Sequence, residues 1–190
     1  KNIAAPRVLE AIVAYAPSPA DRGETPARDE GGGEVTLKPD ANGPPAVLAF
    51  KTTADPYVGK LTYLRVFSGV LKADTQVWNA TKSAQERIGQ LFVVRGKTQE
   101  PVPQLVAGDI GAVAKLAETV TGDTLSSRDK PLTLPPIKFP EPIFGAAVHP
   151  RSKADTEKMS TALARIVEED PILRIRRDQD TGETILSGLG

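Results

Sequence analysis

The sequence of 190 residues contains no cysteine, one histidine and one tryptophan. The lack of cysteine excludes disulfides and thiolate metal sites, and it fits a cytosolic protein. His149, as the single histidine, cannot form a histidine cluster for a metal or complete a catalytic triad with a second histidine. No apolar run is long enough to cross a bilayer. The sequence therefore predicts a cytoplasmic protein with no metal site and no membrane partner.

The chain also has no net charge, because its 24 Lys and Arg residues balance its 24 Asp and Glu residues. A chain with no net charge is not drawn as a whole to nucleic acid. The balance differs locally, since residues 46–130 carry eleven basic against eight acidic side chains, an excess of +3. Any contact with nucleic acid is therefore expected from this middle part of the chain.

Acidic residues gather on the one strongly predicted helix of the C-terminal part. Paired carboxylates can act as general acid and base, but only where neighbours shift their pKa values, and no such neighbours are evident here. We interpret these acids as helix caps and as a solvated helix face. The sequence thus predicts no catalytic and no cofactor-binding residue. The acids considered are Asp155, Glu157, Glu168, Glu169 and Asp170.

The middle of the chain, from residue 46 to 130, has the pattern of an antiparallel β-barrel. Short apolar runs alternate with turn signals, and from Gly59 onward Leu64 and Val66 face one side while Arg65 faces the other. Asp55-Pro56 marks the turn of the first hairpin. Strands are predicted at 46–53, 59–68, 75–80, 86–95, 102–106, 110–116 and around 124. The predicted core contains Val77, Ile88, Leu91, Val93, Ile110 and Val113.

Two connecting segments flank this barrel. Residues 20–45 contain five glycines and four prolines without apolar periodicity, which predicts a linker with one short strand near residues 34–38. Residues 131–142 carry five prolines and predict a stiff connector. Before the first linker, residues 5–15 form an amphipathic helix whose apolar stripe has no partner in this sequence. That stripe consists of Val8, Leu9, Ile12 and Val13.

The last part, residues 143–190, predicts a small α+β domain. A strand at 143–149 precedes a helix that begins near Ser152 and ends before Pro171, and two strands follow at 172–177 and 183–187. This β-α-β-β order is an incomplete split βαβ, or ferredoxin-like, domain that lacks its last helix and strand. The strand at 143–148 is then an open edge that a second molecule could pair with.

Several short segments of the sequence match one protein family with high specificity. The segments 54–59 (ADPYVG), 65–69 (RVFSG), 105–113 (LVAGDIGAV), 121–125 (TGDTL) and 168–171 (EEDP) closely resemble elongation factor G, the GTPase that drives translocation on the ribosome. The resemblance extends over nearly the whole chain except residues 20–33. It implies a translation-factor β-barrel followed by an incomplete α+β domain.

The resemblance also implies which domain each segment belongs to and which function it has. Residues 1–19 would be the last helix of an absent GTP-binding domain, 46–130 the second domain, and 143–190 the first part of the third, in a chain cut at both ends. No Gly-rich phosphate loop and no Asn-Lys-x-Asp motif occurs in the sequence. GTP and magnesium would therefore belong to the parent GTPase, and this fragment itself would bind neither. Its role would be ribosome contact and relay of the nucleotide state.

Basic residues of the barrel are the candidates for contact with small-subunit ribosomal RNA, because the resembling domain rests on that RNA. The competing interpretation is that they are ordinary solubility charges. Trp78 could stack on a base, although packing in the barrel explains it better. The candidate contact residues are Lys60, Arg65, Lys82, Arg87 and Arg95.

Other functions remain open at this point. Within the superfamily, the parent could be an elongation factor G-like paralogue or a ribosomal protection or release factor. In a different class, the chain could be a stand-alone β-barrel that binds RNA. The unpartnered apolar stripe of the first helix argues against a stand-alone module. The resemblance implies the ribosome, its small-subunit RNA and the missing GTP-binding domain as partners.

Overall fold

The computed structural model describes residues 3–55 and 59–190, in which strands outnumber helices. A 3-10 turn, Lys153–Asp155, leads into the longest helix. In chain order the other elements are α1 (Ala5–Tyr15), α2 (Pro19–Arg22), β1 (Thr25–Asp29), β2 (Glu34–Leu37), β3 (Ala46–Asp55), β4 (Gly59–Ser68), β5 (Val70–Lys72), β6 (Thr75–Asn79), β7 (Ala84–Ile88), β8 (Leu91–Arg95), β9 (Thr98–Val102), β10 (Gln104–Val106), β11 (Ile110–Ala114), β12 (Thr124–Ser126), β13 (Leu132–Thr133), β14 (Phe144–Val148), α3 (Thr156–Glu169), β15 (Arg174–Arg177) and β16 (Thr184–Gly188).

The barrel is an antiparallel sheet of eight strands in the order β7-β6-β12-β3-β4-β11-β8-β9, with β5 and β10 paired beside it. Alternation along β4 buries Leu64 and Val66 and leaves Arg65 partly exposed, as the sequence predicts. The mainly β fold class is therefore confirmed. The core cluster contains Val47, Ala49, Leu64, Val66, Leu71, Ile88, Leu91, Leu105, Val113, Leu116 and Leu125.

Three barrel predictions are wrong in detail. The strand predicted at 102–106 is the end of β9 and the whole of β10, separated at Pro103, and the rest of β9 was not predicted. The predicted strand 86–95 is two strands, β7 and β8, separated at Gly89 and Gln90. Ile110 is exposed, not in the core, because it pairs with the outward Arg65 while the next residue, Gly111, pairs with the buried Leu64. The turn predicted at Asp55-Pro56 falls partly outside the described residues, and Asp55 is the last residue of β3.

The linker prediction for residues 20–45 is wrong over β1, which pairs with β2. These strands form a hairpin, and β1 also pairs with β13, so the first residues of the predicted 131–142 connector are a strand as well. The hairpin turn closes where the Asp29 carboxylate accepts the Gly33 N–H at 2.7 Å. The hairpin is stabilised by a small core of its own, built from Ala27, Leu37, Ala46, Leu132 and Leu134. The short strand predicted near 34–38 is present as β2.

Residues 144–188 form the predicted β-α-β-β unit. Its sheet has the order β14-β16-β15, so β14 is an edge strand. The predicted N-terminal helix is also present as α1, with its apolar stripe more than half exposed. Among the described helices, none has the length and apolar character needed to cross a membrane.

Because β14 is paired on one side only, we expect its backbone amides to exchange with solvent at least about tenfold faster than those of the central strand β16. Amide exchange should be measured at a concentration where the chain is shown to be monomeric, since pairing with a second copy would protect β14. The matched control is β4, which is paired on both sides. Equal protection of β14 and β16 in a monomer would contradict the open edge.

Candidate nucleic-acid interface

The five predicted contact residues lie on separate parts of the barrel. Lys82 and Arg87 share the β6–β7 hairpin, whereas Lys60 and Arg65 are on β4 and Arg95 ends β8. Strand β7 pairs only with β6, and neither β4 nor β8 pairs with that hairpin. The structure thus places Lys82 and Arg87 on one hairpin and the other three residues on strands that are not hydrogen-bonded to it.

Lys60 contacts a different part of the protein. Its ammonium lies 2.6 Å from Glu168 Oε1 on α3, and its side chain is only 17% exposed. This ion pair joins the barrel to the helix of the C-terminal domain. Glu168, interpreted from sequence as part of a solvated helix face, is therefore a domain contact. Lys60 could bind a phosphate only by exchanging this partner.

Arg95 and Arg65 also have neighbours within the chain. Arg95 is paired with Glu100 at 3.5 Å, with the arginine largely exposed. The Arg65 guanidinium lies 4.8 Å from the centre of the Phe67 ring, in a cation–π contact. Neither contact is buried, so both side chains could move at little cost.

Lys82 is held in the turn that joins β6 to β7. Its ammonium donates to the Glu118 carbonyl and lies 3.6 Å from Asp123 Oδ2. Its backbone N–H donates to Asn79 Oδ1 at 3.1 Å. The two contacts of the ammonium hold the turn against the 115–123 loop, and the backbone bond to Asn79 closes the turn on β6, so Lys82 stabilises the hairpin as well as adding charge to it.

A buried carboxylate anchors the same hairpin. Glu86 is 4% exposed, and its oxygens accept the N–H groups of Ala117, Glu118 and Thr119 at 3.1, 2.9 and 2.9 Å, and the Thr119 hydroxyl at 2.9 Å. Burial raises the pKa of the Glu86 carboxyl, but the N–H donors of Glu118 and Ala117 and both donors of Thr119 outweigh burial. The net effect is a pKa below the ordinary value, so Glu86 is ionised at neutral pH.

Asn79 and Asp123 complete this buried network. The Asn79 amide donates to Thr119 Oγ1 at 3.2 Å and to Asp123 Oδ2 at 2.9 Å. Sequence reasoning missed the network, although one signal was present: Glu86 precedes the buried Ile88 by two residues, so strand alternation turns the acid inward. An inward acid must find donors, because an unpaired buried carboxylate is very costly.

The opposite face of the hairpin is open to solvent. Register pairs Gln76 with Arg87 and Trp78 with Gln85, which puts these four side chains on the face opposite Glu86. The Arg128 guanidinium lies 5.3 Å from the centre of the Trp78 ring. We call this set the Trp78 face; its members are Gln76, Trp78, Gln85, Arg87 and Arg128. Trp78 is partly buried, as the packing interpretation expects of a half-buried strand, although it does not belong to the central core cluster.

The remaining candidates have structural contacts. His149 lies 3.3 Å from Glu183 Oε1, and both side chains are exposed to solvent. Asp155 accepts the Ser152 hydroxyl at 2.8 Å at the helix start, and Asp170 accepts the Ile172 N–H at 2.9 Å after the helix end. In residues 3–55 and 59–190, no three His, Cys, Asp or Glu side chains come together as a metal site would require.

Comparisons with known proteins cover both domains. The family model described as elongation factor G domain 2 matches residues 44–128, and the model described as Elongation Factor G, domain III, matches residues 139–190. A crystal structure of a protein from Thermus thermophilus aligns with 98% of this chain at 30% sequence identity and a TM-score of 0.76. This chain spans 26% of the length of that protein.

Proposed function

Because this chain belongs to the elongation factor G family of translation factors, we propose that it is the ribosome-contacting and relay part of a translational GTPase. The observation that carries the proposal is the pair of consecutive family matches, domain II followed by domain III. In this role the chain contributes binding and transmission of the nucleotide state, in the cytoplasm, during ribosomal translocation. It contributes no catalytic side chain.

GTP and magnesium bind elsewhere in the whole protein under this proposal. Phosphate binding needs a Gly-rich backbone cradle followed by a lysine, and that motif does not occur in the sequence. The exposed apolar stripe of α1, centred on Leu9 and Ile12, supports packing against a GTP-binding domain. Relay is supported by the contact between barrel and α3 at Lys60 and Glu168, since this ion pair couples the two domains.

In this proposal the barrel is the part of the chain that contacts the ribosome, and it contacts small-subunit ribosomal RNA. Arg87 is the strongest of the five candidates, because it is exposed and no acidic side chain in the described parts of the chain lies within ion-pairing distance of it. Lys82 lies on the same hairpin, but its ammonium contacts the Glu118 carbonyl and Asp123, so it would have to leave these partners to bind a phosphate. Arg65 and Arg95 contribute more weakly, and Lys60 contributes only where its contact with Glu168 opens.

Binding of the chain to purified small ribosomal subunits, measured by sedimentation over a range of salt concentrations, tests this function. About three phosphate contacts predict a slope of log K against log salt of roughly −2 to −3. Arg87→Ala should weaken binding and reduce the slope by about one unit, because it removes one phosphate contact. Arg151→Ala, an exposed change outside the barrel, is the control and should leave the slope unchanged.

A chain that does not sediment with small subunits at low salt would overturn the proposed function. If Arg87→Ala leaves the slope of log K against log salt unchanged, the contact with the RNA is made by another surface. The same preparation should show no heat with GTP and magnesium in titration calorimetry, and saturable GTP binding would contradict the separation of contact from catalysis.

A further inference from the structure

The Trp78 face combines an aromatic ring, two arginines and two amides on one side of a two-stranded hairpin. Arg87 lies opposite Gln76 in register, and Trp78 lies opposite Gln85. The two amides already contact each other through Gln85 Nε2 and Gln76 Oε1. Strand β7 is the edge of the eight-stranded sheet, so no further strand of that sheet lies beyond Arg87.

The contact between Arg128 and Trp78 presents a flat cationic group to solvent. The guanidinium lies 5.3 Å from the ring centre, and Arg128 itself is exposed while Trp78 is partly covered. A guanidinium backed by an aromatic ring is planar on its outer side and can stack on a nucleobase. In the described chain no acidic side chain is ion-paired with Arg87 or Arg128.

We propose that the Trp78 face binds an unpaired nucleotide of RNA. The base stacks on the outer side of the Arg128 guanidinium, which Trp78 supports from beneath, and Arg87 binds the adjoining phosphate. Gln76 and Gln85 provide amide donors and acceptors for the base edge or the ribose 2′-hydroxyl. The proposal rests on the proposed function and specifies which feature of the RNA the barrel recognises.

An unpaired nucleotide fits this face better than the other anionic partners. In a duplex the bases stack on each other, so a duplex would use the two arginines but not the flat platform. An acidic peptide would likewise satisfy the charges without using the ring and guanidinium. Only an unpaired nucleotide offers both a free base face that can stack on Arg128 and an adjoining phosphate that Arg87 can bind.

Trp78 is the only tryptophan, so its fluorescence reports on this face alone. We expect saturable quenching by a ten-nucleotide single-stranded oligoadenylate, and binding at least about tenfold weaker for a ten-base-pair RNA duplex or a glutamate decapeptide. Arg128→Lys keeps the charge but removes the planar group. It should weaken oligoadenylate binding by about tenfold, measured by anisotropy of labelled RNA.

Arg87→Ala should weaken the same binding and lower its salt slope by about one unit, whereas Lys97→Ala, in the turn between β8 and β9, should change neither. Circular dichroism melting verifies that each variant is folded. Equal affinity of Arg128→Lys and the unchanged chain overturns the proposal, as does equal affinity for duplex and single strand. Small-subunit binding without any oligoadenylate binding overturns this inference alone, while loss of small-subunit binding overturns the proposed function as well.

Discussion

Replacing Glu86 by alanine is expected to lower the free energy of unfolding by about 3 kcal/mol, the largest effect of any single acid in the barrel. The change removes the acceptor for three backbone N–H groups and the Thr119 hydroxyl. Thr119 is fully buried, so in the variant its N–H and hydroxyl could not donate to water in place of Glu86. Thermal unfolding should shift down by about 10 °C.

Glu118→Ala is the matched control for this prediction. Glu118 lies in the same loop, but its side chain is exposed and only its backbone contacts Glu86. We expect a change within about 0.5 kcal/mol, as for other exposed positions. Urea unfolding followed by Trp78 fluorescence measures both variants. A similar small loss in Glu86→Ala would show that the buried network does not anchor the hairpin.

The pKa of Glu86 adds a pH dependence to the same measurement. The folded-state pKa lies below the ordinary value, so the stabilisation by Glu86 is present above the pKa of the unfolded chain. It is lost as pH falls through the lower, folded-state pKa. Glu86→Gln cannot ionise, and its unfolding free energy should therefore fall less steeply on acidification than that of the unchanged chain.

Replacing Gly69 by alanine is expected to destabilise the chain by about 3 kcal/mol or more. Gly69 has φ of +74°, and an added Cβ would lie 2.7 Å from both Cα and N of Pro45 and 2.9 Å from the Gly43 carbonyl oxygen. All of these are backbone atoms, so no side-chain rotation can relieve the clash. Gly69 also joins two loops, because its N–H donates to Asp40 and its carbonyl accepts from Ala107.

The control for Gly69 is another glycine in the left-handed region. Gly96 has φ of +60° but open space around the position of a Cβ. Gly96→Ala should therefore cost only about 1 kcal/mol, the backbone penalty alone. Equal losses in the two variants, measured by urea unfolding, would mean that the close approach of Gly69 to Pro45 contributes nothing.

Local alternation was sufficient to predict most of the barrel. The inward residues of β4 alternate from Thr62 through Leu64 and Val66 to Ser68, and a slip of one residue would turn all of them to the other face. The helix α3 followed equally well from its period and from Asp170-Pro171 after its end. These elements can be predicted because the residues that indicate them lie close together in the sequence.

The β1–β2 hairpin could not be predicted in the same way. Its small core depends on Ala27 meeting Leu132 and Leu134, about a hundred residues later in the chain, and a single alanine gives no apolar periodicity. Pairing with β13 is likewise a long-range event that a linker-like composition conceals. Glycine and proline content indicated turns here but could not indicate what the strands between them pack against.

The interface itself stays a prediction. The five cations were chosen from the barrel's positive charge and from the resemblance to a domain that rests on ribosomal RNA, but the sequence could not show that Lys60 would pair with Glu168 or Arg95 with Glu100. Arg128 was not among the candidates, and only the fold brings it to Trp78. Partners distant in sequence therefore decide which cations are available to RNA.

Site-specific cross-linking tests the central claim that the β6–β7 hairpin faces small-subunit ribosomal RNA. Since the chain has no cysteine, Gln85→Cys and Lys97→Cys each create one attachment point for a short photo-cross-linker, on the hairpin and in the β8–β9 turn respectively. If the hairpin faces this RNA, we expect a cross-link from position 85 to small-subunit RNA that high salt abolishes, and little cross-linking from position 97. Cross-linking from position 97 but not from position 85 would contradict the claim.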